Sequence, residues 1–113
     1  MSCIFCDIAD KKIRSDIVYE DEQIVAFRDV NPQAPTHILV IPRKHISTIN
    51  DIQEQDVGLI GRLIFVAKEI AYKEGCAANG YRLVMNCNND GGQTVYHVHL
   101  HLLCGRWMTW PPG

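Results

Sequence analysis

The stretch His97-Val98-His99-Leu100-His101-Leu102-Leu103 alternates imidazole with aliphatic side chains. A period of two belongs to a β-strand, where successive side chains point to opposite faces. The pattern predicts a strand over Val95 to Leu103, with Val98, Leu100 and Leu102 turned to a core. That core requires at least one further packed layer. His97, His99 and His101 then share the other face, which must be a site or partly wet. A single histidine on a strand is ordinarily structural or solvated, but three in strict alternation are hard to assign to packing alone.

The rest of the chain supplies the missing layers. Phe5 to Ala9 predicts a short helix with Phe5 and Ile8 on one side. Ile17 to Tyr19 and Ile24 to Asp29 read as short strands joined by a hairpin turn at Glu20-Asp21-Glu22. Thr36 to Ile41 is aliphatic or β-branched throughout most of its length and reads as a central strand. The two-proline turn Asn31-Pro32-Gln33-Ala34-Pro35 precedes it. A long helix is expected from Asp51 to Glu74, with Asp51 and Glu54 at capping-box spacing. Its apolar face is predicted as Leu59, Ile60, Leu63, Ile64, Ala67, Ile70 and Ala71, and Gly75 as its stop. Tyr81 to Asn86 is a further strand. Asn88 to Gly92 is a polar loop whose glycines permit positive φ. The expected class is α+β: one domain, residues 1–113, with a mostly antiparallel sheet and one main helix over a face.

A chain of 113 residues with 11 basic and 13 acidic side chains carries a formal net charge of -2. No basic stripe of the kind that binds nucleic acid is evident. No window is long and apolar enough to span a bilayer. The start, MSCIFCDIADKK, lacks the order of a signal peptide. These features predict a soluble, cytoplasmic protein that uses neither nucleic acid nor membrane as partner. The five cysteines, at 3, 6, 76, 87 and 104, are odd in number and argue against a disulfide framework. Cys76, Cys87 and Cys104 are expected as small buried or semi-buried hydrophobes.

Two chemistries suit the histidine row. Alternate histidines can ligate a catalytic metal with a third ligand. Alternatively, one imidazole is a nucleophile or base that its neighbours orient. Asp90-Gly91-Gly92-Gln93-Thr94 immediately precedes the row. Its glycines can turn backbone N–H groups into an anion-binding concavity, and Gln93 and Thr94 add side-chain donors. A phosphoryl group held within reach of an imidazole favours the second reading.

The chain resembles the histidine triad superfamily, whose signature His-φ-His-φ-His-φ-φ (φ apolar) is met by HVHLHLL without departure. GGQTVYHVHLH, AFRDVNPQAPTHILVIPRKH and the ending GRWMTWPPG are similar to the Hint branch of purine nucleoside phosphoramidases, so the likeness covers nearly the whole chain. The resemblance implies a fold of this type whose sheet continues across a two-fold homodimer. It implies hydrolysis of P–N bonds in purine nucleoside 5'-phosphoramidates and related aminoacyl-adenylates through a nucleotidyl-histidine intermediate. In these terms His99 is the nucleophile, its other nitrogen held by the carbonyl of His97. His101 hydrogen-bonds the phosphate or the bridging leaving atom. Asn86, Gly92, Gln93 and Thr94 hold the phosphate and the leaving group; Thr94 replaces the usual serine. Asp29 takes the ribose hydroxyls, with a strand-end turn cap as its plain alternative. Phe5, Ile8, Ile13, Phe27, Val30 and Leu39 line the base pocket, although each reads as core on its own. His37 matches a histidine near the first triad member, with a relay or a structural role.

Cys3 and Cys6 form a CxxC pair, open to redox, inert or metal-binding readings. Several bacterial members of the superfamily begin similarly and bind zinc. The resemblance implies a structural zinc on Cys3, Cys6, His45 and His97, which would remove His97 from proton transfer. It also implies a dimer through the long helix and a strand, with room left by Gly58 and Gly61. The tail then lies near the partner's active site, where Trp110 shapes leaving-group choice. A Fhit-like dinucleoside polyphosphate hydrolase, a nucleotide-binding interaction protein and a triple-histidine metal hydrolase are the alternatives.

Overall fold

The computed structural model describes residues 2–113. Its centre is a five-stranded, wholly antiparallel sheet of order β1-β2-β3-β5-β4. The strands are β1 (Ile17–Glu20), β2 (Ile24–Arg28), β3 (Thr36–Pro42), β4 (Arg82–Val84) and β5 (Leu100–Cys104). The helices are α1 (Ile4–Ala9), α2 (Val57–Lys73) and the single turn α3 (Asn88–Gly91). The expected α+β class is observed.

β2 and β3 read as nearly unbroken apolar runs because both faces of the sheet are covered. On one face Ile24, Ala26, Ile38, Val40, Leu100 and Leu102 pack with Leu63, Val66, Ala67, Ile70 and Ala71 of α2. On the other, Val25, Phe27, Leu39 and Ile41 pack with Phe5, Ile8 and Ala9 of α1. The second face is the narrower layer, and α1 covers only part of it. The site lies in what is left.

Several boundaries differ from expectation. α2 begins at Val57, not Asp51, after two 3-10 turns at Ile49–Asp51 and Glu54–Asp56. The Asp51 carboxylate reaches back to the Thr48 N–H (3.1 Å) and hydroxyl (2.9 Å). Asp51 therefore closes a capping box instead of opening one. Asp56 does the same for the Gln53 N–H (3.0 Å). Ile64 is exposed, and Val66 takes the core position. β4 is shorter than Tyr81–Asn86. Residues 88–91 form a helical turn where a loop was expected, and Gly92 ends it at φ +81°. Gly75 stops α2 as expected, at φ +79°.

The cysteine reading needs correction. Cys76 and Cys104 are joined as a disulfide between the segment after α2 and the end of β5. Both are buried, as expected, but as a bonded pair.

The row itself is only partly strand. β5 starts at Leu100, so His97 and His99 lie ahead of it. β3 pairs with β5 from Thr36↔Cys104 to Val40↔Leu100. Two residues beyond Val40 stands Pro42, which has no N–H for the ladder. Its carbonyl is taken by the His97 ring at 2.7 Å. The ladder stops there, and the three imidazoles do not share one wet face: His97 and His99 are buried.

Candidate active site and metal cluster

His97 turns away from its two neighbours. Its Nε2–H donates to the Pro42 carbonyl, which leaves Nδ1 unprotonated. That Nδ1 lies 3.2 Å from His45 Nδ1, 3.4 Å from Cys3 Sγ and 3.6 Å from Cys6 Sγ. Cys6 Sγ is 3.4 Å from His45 Nδ1, and all four donor atoms fall within 4.8 Å of one another. A tetrahedron with bonds of about 2.3 Å to sulfur and about 2.0–2.1 Å to nitrogen has edges of about 3.3 Å (N–N) and about 3.6 Å (N–S). The N–N separation of 3.2 Å and the three N–S separations of 3.4–3.6 Å are close to those edges. A carbonyl that accepts from the other ring nitrogen of a ligand histidine, and so fixes its tautomer, is also what metal sites use. Local structure helps to present the thiols: Cys3 is the N-cap of α1, and its Sγ accepts the Cys6 N–H at 3.4 Å. The four residues form a group capable of holding a metal ion. Burial, then Cys3, pushes the Cys6 thiol up to about 11 in the absence of metal.

The His97 main chain serves His99. The His99 Nδ1–H donates to the His97 carbonyl at 2.7 Å, so Nε2 carries the free lone pair. Burial lowers the His99 pKa from its ordinary value, which keeps the ring neutral and nucleophilic. The edge of Phe5 meets the His99 ring at 5.0 Å between centroids.

His101 is set by a chain of hydrogen bonds. The Gln33 N–H donates to His37 Nδ1 at 3.1 Å. His37 must therefore carry its proton on Nε2, which lies 2.9 Å from His101 Nδ1. His101 then carries its own proton on Nε2, and that atom is buried without a partner. A buried donor left unsatisfied in the free protein calls for a ligand acceptor. Burial, then His99 and His37, lowers the His101 pKa to about 4. Burial also lowers that of His37. Contrary to expectation, His37 stands beside the last triad member, not the first.

Asp29, His37 and His101 also cluster within 4.8 Å. Unlike the first group, they do not suit a metal. A cation on His37 Nε2 would need both ring nitrogens deprotonated, because Nδ1 already accepts an N–H. Asp29 Oδ1 caps the Asn31 N–H at 2.8 Å, and Oδ2 lies 3.6 Å from His37 Nε2.

His99 and His101 open on a cavity of about 600 Å³, within the range of small-molecule sites, about 300–1,000 Å³. Of the sequence candidates it gathers Phe5, Ile8, Ile13, Phe27, Asp29, Val30, Leu39 and Thr94 at its walls. Phe5, Ile8, Phe27 and Leu39 are buried there, whereas Val30 is 97% exposed at the rim. Asn86 and Trp110 line a different cleft beside β4. Trp110 is 80% exposed, with the Arg82 guanidinium 5.9 Å from its ring centroid. Gln93 is occupied internally: Nε2 donates to the Ser47 and Val95 carbonyls, and Oε1 accepts the Asn88 N–H. Its amide holds the loop before the row and is not a free phosphate donor. Gly92 is the C-cap of α3. Arg14, Ser15 and Gln33 also line the cavity and were not singled out from sequence. Gln33 acts through its backbone, which leaves no side-chain signal; only its place in a two-proline turn before His37 hinted at it.

Residues 2–109 match the family model described as scavenger mRNA decapping enzyme C-term binding. The purine nucleoside phosphoramidase of Escherichia coli K12 is 55% identical over 103 residues, 91% of this chain and 87% of that protein. The crystal structure of a HIT family hydrolase from Legionella pneumophila Philadelphia 1 superposes with a TM-score of 0.97 at 56% identity, covering 99% of this chain and 100% of that one. The chain belongs to the histidine triad family. A zinc-bound histidine triad family protein from Mycobacterium smegmatis also matches, with a TM-score of 0.80 at 31% identity, over 94% of this chain and 76% of that one. In this histidine triad chain the triad does two jobs: one imidazole joins the metal-binding group, and two face the cavity. Among the described residues no helix is long and apolar enough to cross a membrane.

Proposed function

We propose that the chain hydrolyses the P–N bond of purine nucleoside 5'-phosphoramidates, with His99 as nucleophile. The observation that carries this is the 2.7 Å bond from His99 Nδ1–H to the His97 carbonyl. It fixes one tautomer and leaves Nε2 free beside a nucleotide-sized cavity. His99 Nε2 attacks phosphorus as the P–N bond breaks. The departing nitrogen leaves as the amine by taking one proton from solvent water, and the charged imidazole is stabilised through Nδ1–H on the carbonyl. Water then cleaves the nucleotidyl-imidazole: its oxygen goes to phosphorus and one of its protons returns to solvent in place of the one taken, which releases the nucleoside monophosphate and restores neutral His99. The orphaned His101 Nε2–H hydrogen-bonds a phosphoryl oxygen or the leaving nitrogen, where charge develops. Phe5, Ile8, Ile13, Phe27, Val30 and Leu39 enclose the base by shape. Asp29 Oδ2 faces the ribose hydroxyls, and Thr94 the phosphate.

The group held by Cys3, Cys6, His45 and His97 is zinc, on the chemistry of its donors, and its role is structural. Lone-pair convergence and tetrahedral edge lengths support that identity. A homodimer is proposed as well: β4 is an edge strand with an unpaired side, and Gly58 and Gly61 on exposed α2 have open space above them. Asn86 and Trp110, which line the cleft beside β4, then serve the leaving group from the β4 side. The cytoplasm is the proposed compartment, because the Cys3 and Cys6 thiols must stay reduced to ligate, although the Cys76–Cys104 bridge pulls the other way.

The test is hydrolysis of an adenosine 5'-phosphoramidate bearing a fluorescent amine, by the protein and by His99→Ala, each with and without mild chelation. Turnover that survives chelation and vanishes in His99→Ala is expected. Equal turnover in the variant removes His99 as nucleophile. No turnover in the intact protein moves the reading to dinucleoside polyphosphates or to nucleotide binding alone.

A further inference from the structure

The metal-binding group and the nucleotide cavity share one helix. α1 is six residues long. Its N-cap Cys3 and its Cys6 face the cluster, while Phe5 and Ile8 face the cavity. Phe5 also meets His97 at 6.0 Å and Phe27 at 5.4 Å between ring centroids. Apart from its buried side and the contacts of the Cys3 and Cys6 thiols with the His45 and His97 rings, α1 is held by the Arg43 guanidinium, which donates to the Ala9 carbonyl at 2.8 Å. A helix this short has little stability of its own. A metal ion at Cys3, Cys6, His45 and His97 would bind α1 to the segments carrying His45 and His97. Those segments are already joined by the Val98 N–H to the Ile46 carbonyl at 2.7 Å.

We propose that metal binding and nucleotide binding are thermodynamically coupled through α1, the metal fixing the Phe5–Ile8 wall of the nucleoside pocket. The inference rests on the nucleotide-site reading above. Phe5 and Ile8 become specificity residues whose position is set by the ligand thiols on either side of Phe5. Coupling is reciprocal: whatever factor the metal adds to nucleotide affinity, the nucleotide adds to metal affinity. The expected factor is on the order of tenfold, within the usual span of such couplings.

The test uses the full chain loaded with one equivalent of Zn(II), and the same chain stripped by chelation and checked for fold by circular dichroism. Adenosine monophosphate is titrated into both by calorimetry. Zinc affinity is measured against a chromophoric chelator with and without saturating nucleotide. The stripped chain should bind the nucleotide about tenfold more weakly, and the nucleotide should tighten zinc by the same factor. In Phe5→Ala both factors should collapse towards one, even though nucleotide affinity falls. If the stripped chain unfolds, the rate at which chelator withdraws zinc from the loaded, folded chain replaces the titration. Nucleotide must slow withdrawal in the intact protein and not in Phe5→Ala. Equal nucleotide affinity with and without metal, or a factor that persists in Phe5→Ala, overturns the coupling and leaves the proposed function standing. A loaded chain that binds no nucleotide overturns the functional reading first and the coupling with it.

Discussion

Replacing His37 and His101 singly and together tests the hydrogen-bond chain from Gln33. His101 Nε2–H is the buried donor left for a ligand. Losing one preorganised donor to developing phosphoryl charge costs about 2.7–4 kcal/mol, or about 10²–10³ in kcat, by analogy with oxyanion sites. His37 is expected to act by a different route. Both its nitrogens are engaged, one by the Gln33 N–H and one by His101 Nδ1, so its contribution passes through His101. Removing that internal bond costs about 0.5–1.5 kcal/mol, which is about 2–13-fold in rate. The double variant should then be no slower than His101→Ala alone, because the second deletion removes a support for a group already gone. Steady-state kcat and kcat/KM on the fluorogenic phosphoramidate, measured well below each variant's unfolding temperature, decide it. Losses that multiply in the double variant would refute the chain and give His37 a role independent of His101.

Other expectations concern strain, pH and metal. Gly105 sits at φ +98°, and a Cβ there would lie 2.8 Å from Pro35 Cβ. Gly105→Ala should lose about 2–5 kcal/mol, summing a left-handed residue and an overpacked contact; denaturant unfolding with an unchanged midpoint contradicts this. In the proposed mechanism His99 attacks as the neutral ring, and burial lowers its pKa from 6.5. More than half of the His99 rings are therefore neutral at pH 6.5, and kcat/KM should reach half its plateau only at lower pH; half-maximal rate at or above 6.5 opposes the assignment. The Cys6 thiol, pushed up to about 11, is protonated at neutral pH in the metal-free chain. Zinc binding must displace that proton, so apparent affinity should rise about tenfold per pH unit for each such thiol. Chelator competition at pH 6, 7 and 8 measures the slope, and a flat response removes Cys6 from the ligand set.

Much of this architecture is written in local patterns. The aliphatic runs at 24–28 and 36–42 and the helical rhythm from Leu63 to Ala71 depend on neighbours within one element, and they appear where expected. What sequence periodicity missed depends on partners far along the chain. The alternation of His97, His99 and His101 implied one face, but Pro42 ends the ladder and the His97 ring swings to its carbonyl. The start of α2 turned on which side of Asp51 its carboxylate reaches, and spacing alone does not distinguish the two. The Cys76–Cys104 pairing depends on bringing together residues separated by 28 positions. Gln93 reads as a donor beside a glycine turn, yet Ser47 and Val95 claim its amide. The Gln33 backbone amide, which sets two tautomers at once, is invisible to any reading of side-chain type.

The acceptor that orients His99 is a main-chain oxygen. A mutation can remove an imidazole, a thiol or a carboxylate in one step, but it cannot delete a peptide carbonyl. The aim of the His99 ring is thereby stored where genetic change does not directly reach it, and the side chain at 97 is left free for a second employment. A lineage that dropped the metal cluster could keep the orienting oxygen, whatever side chain came to stand above it.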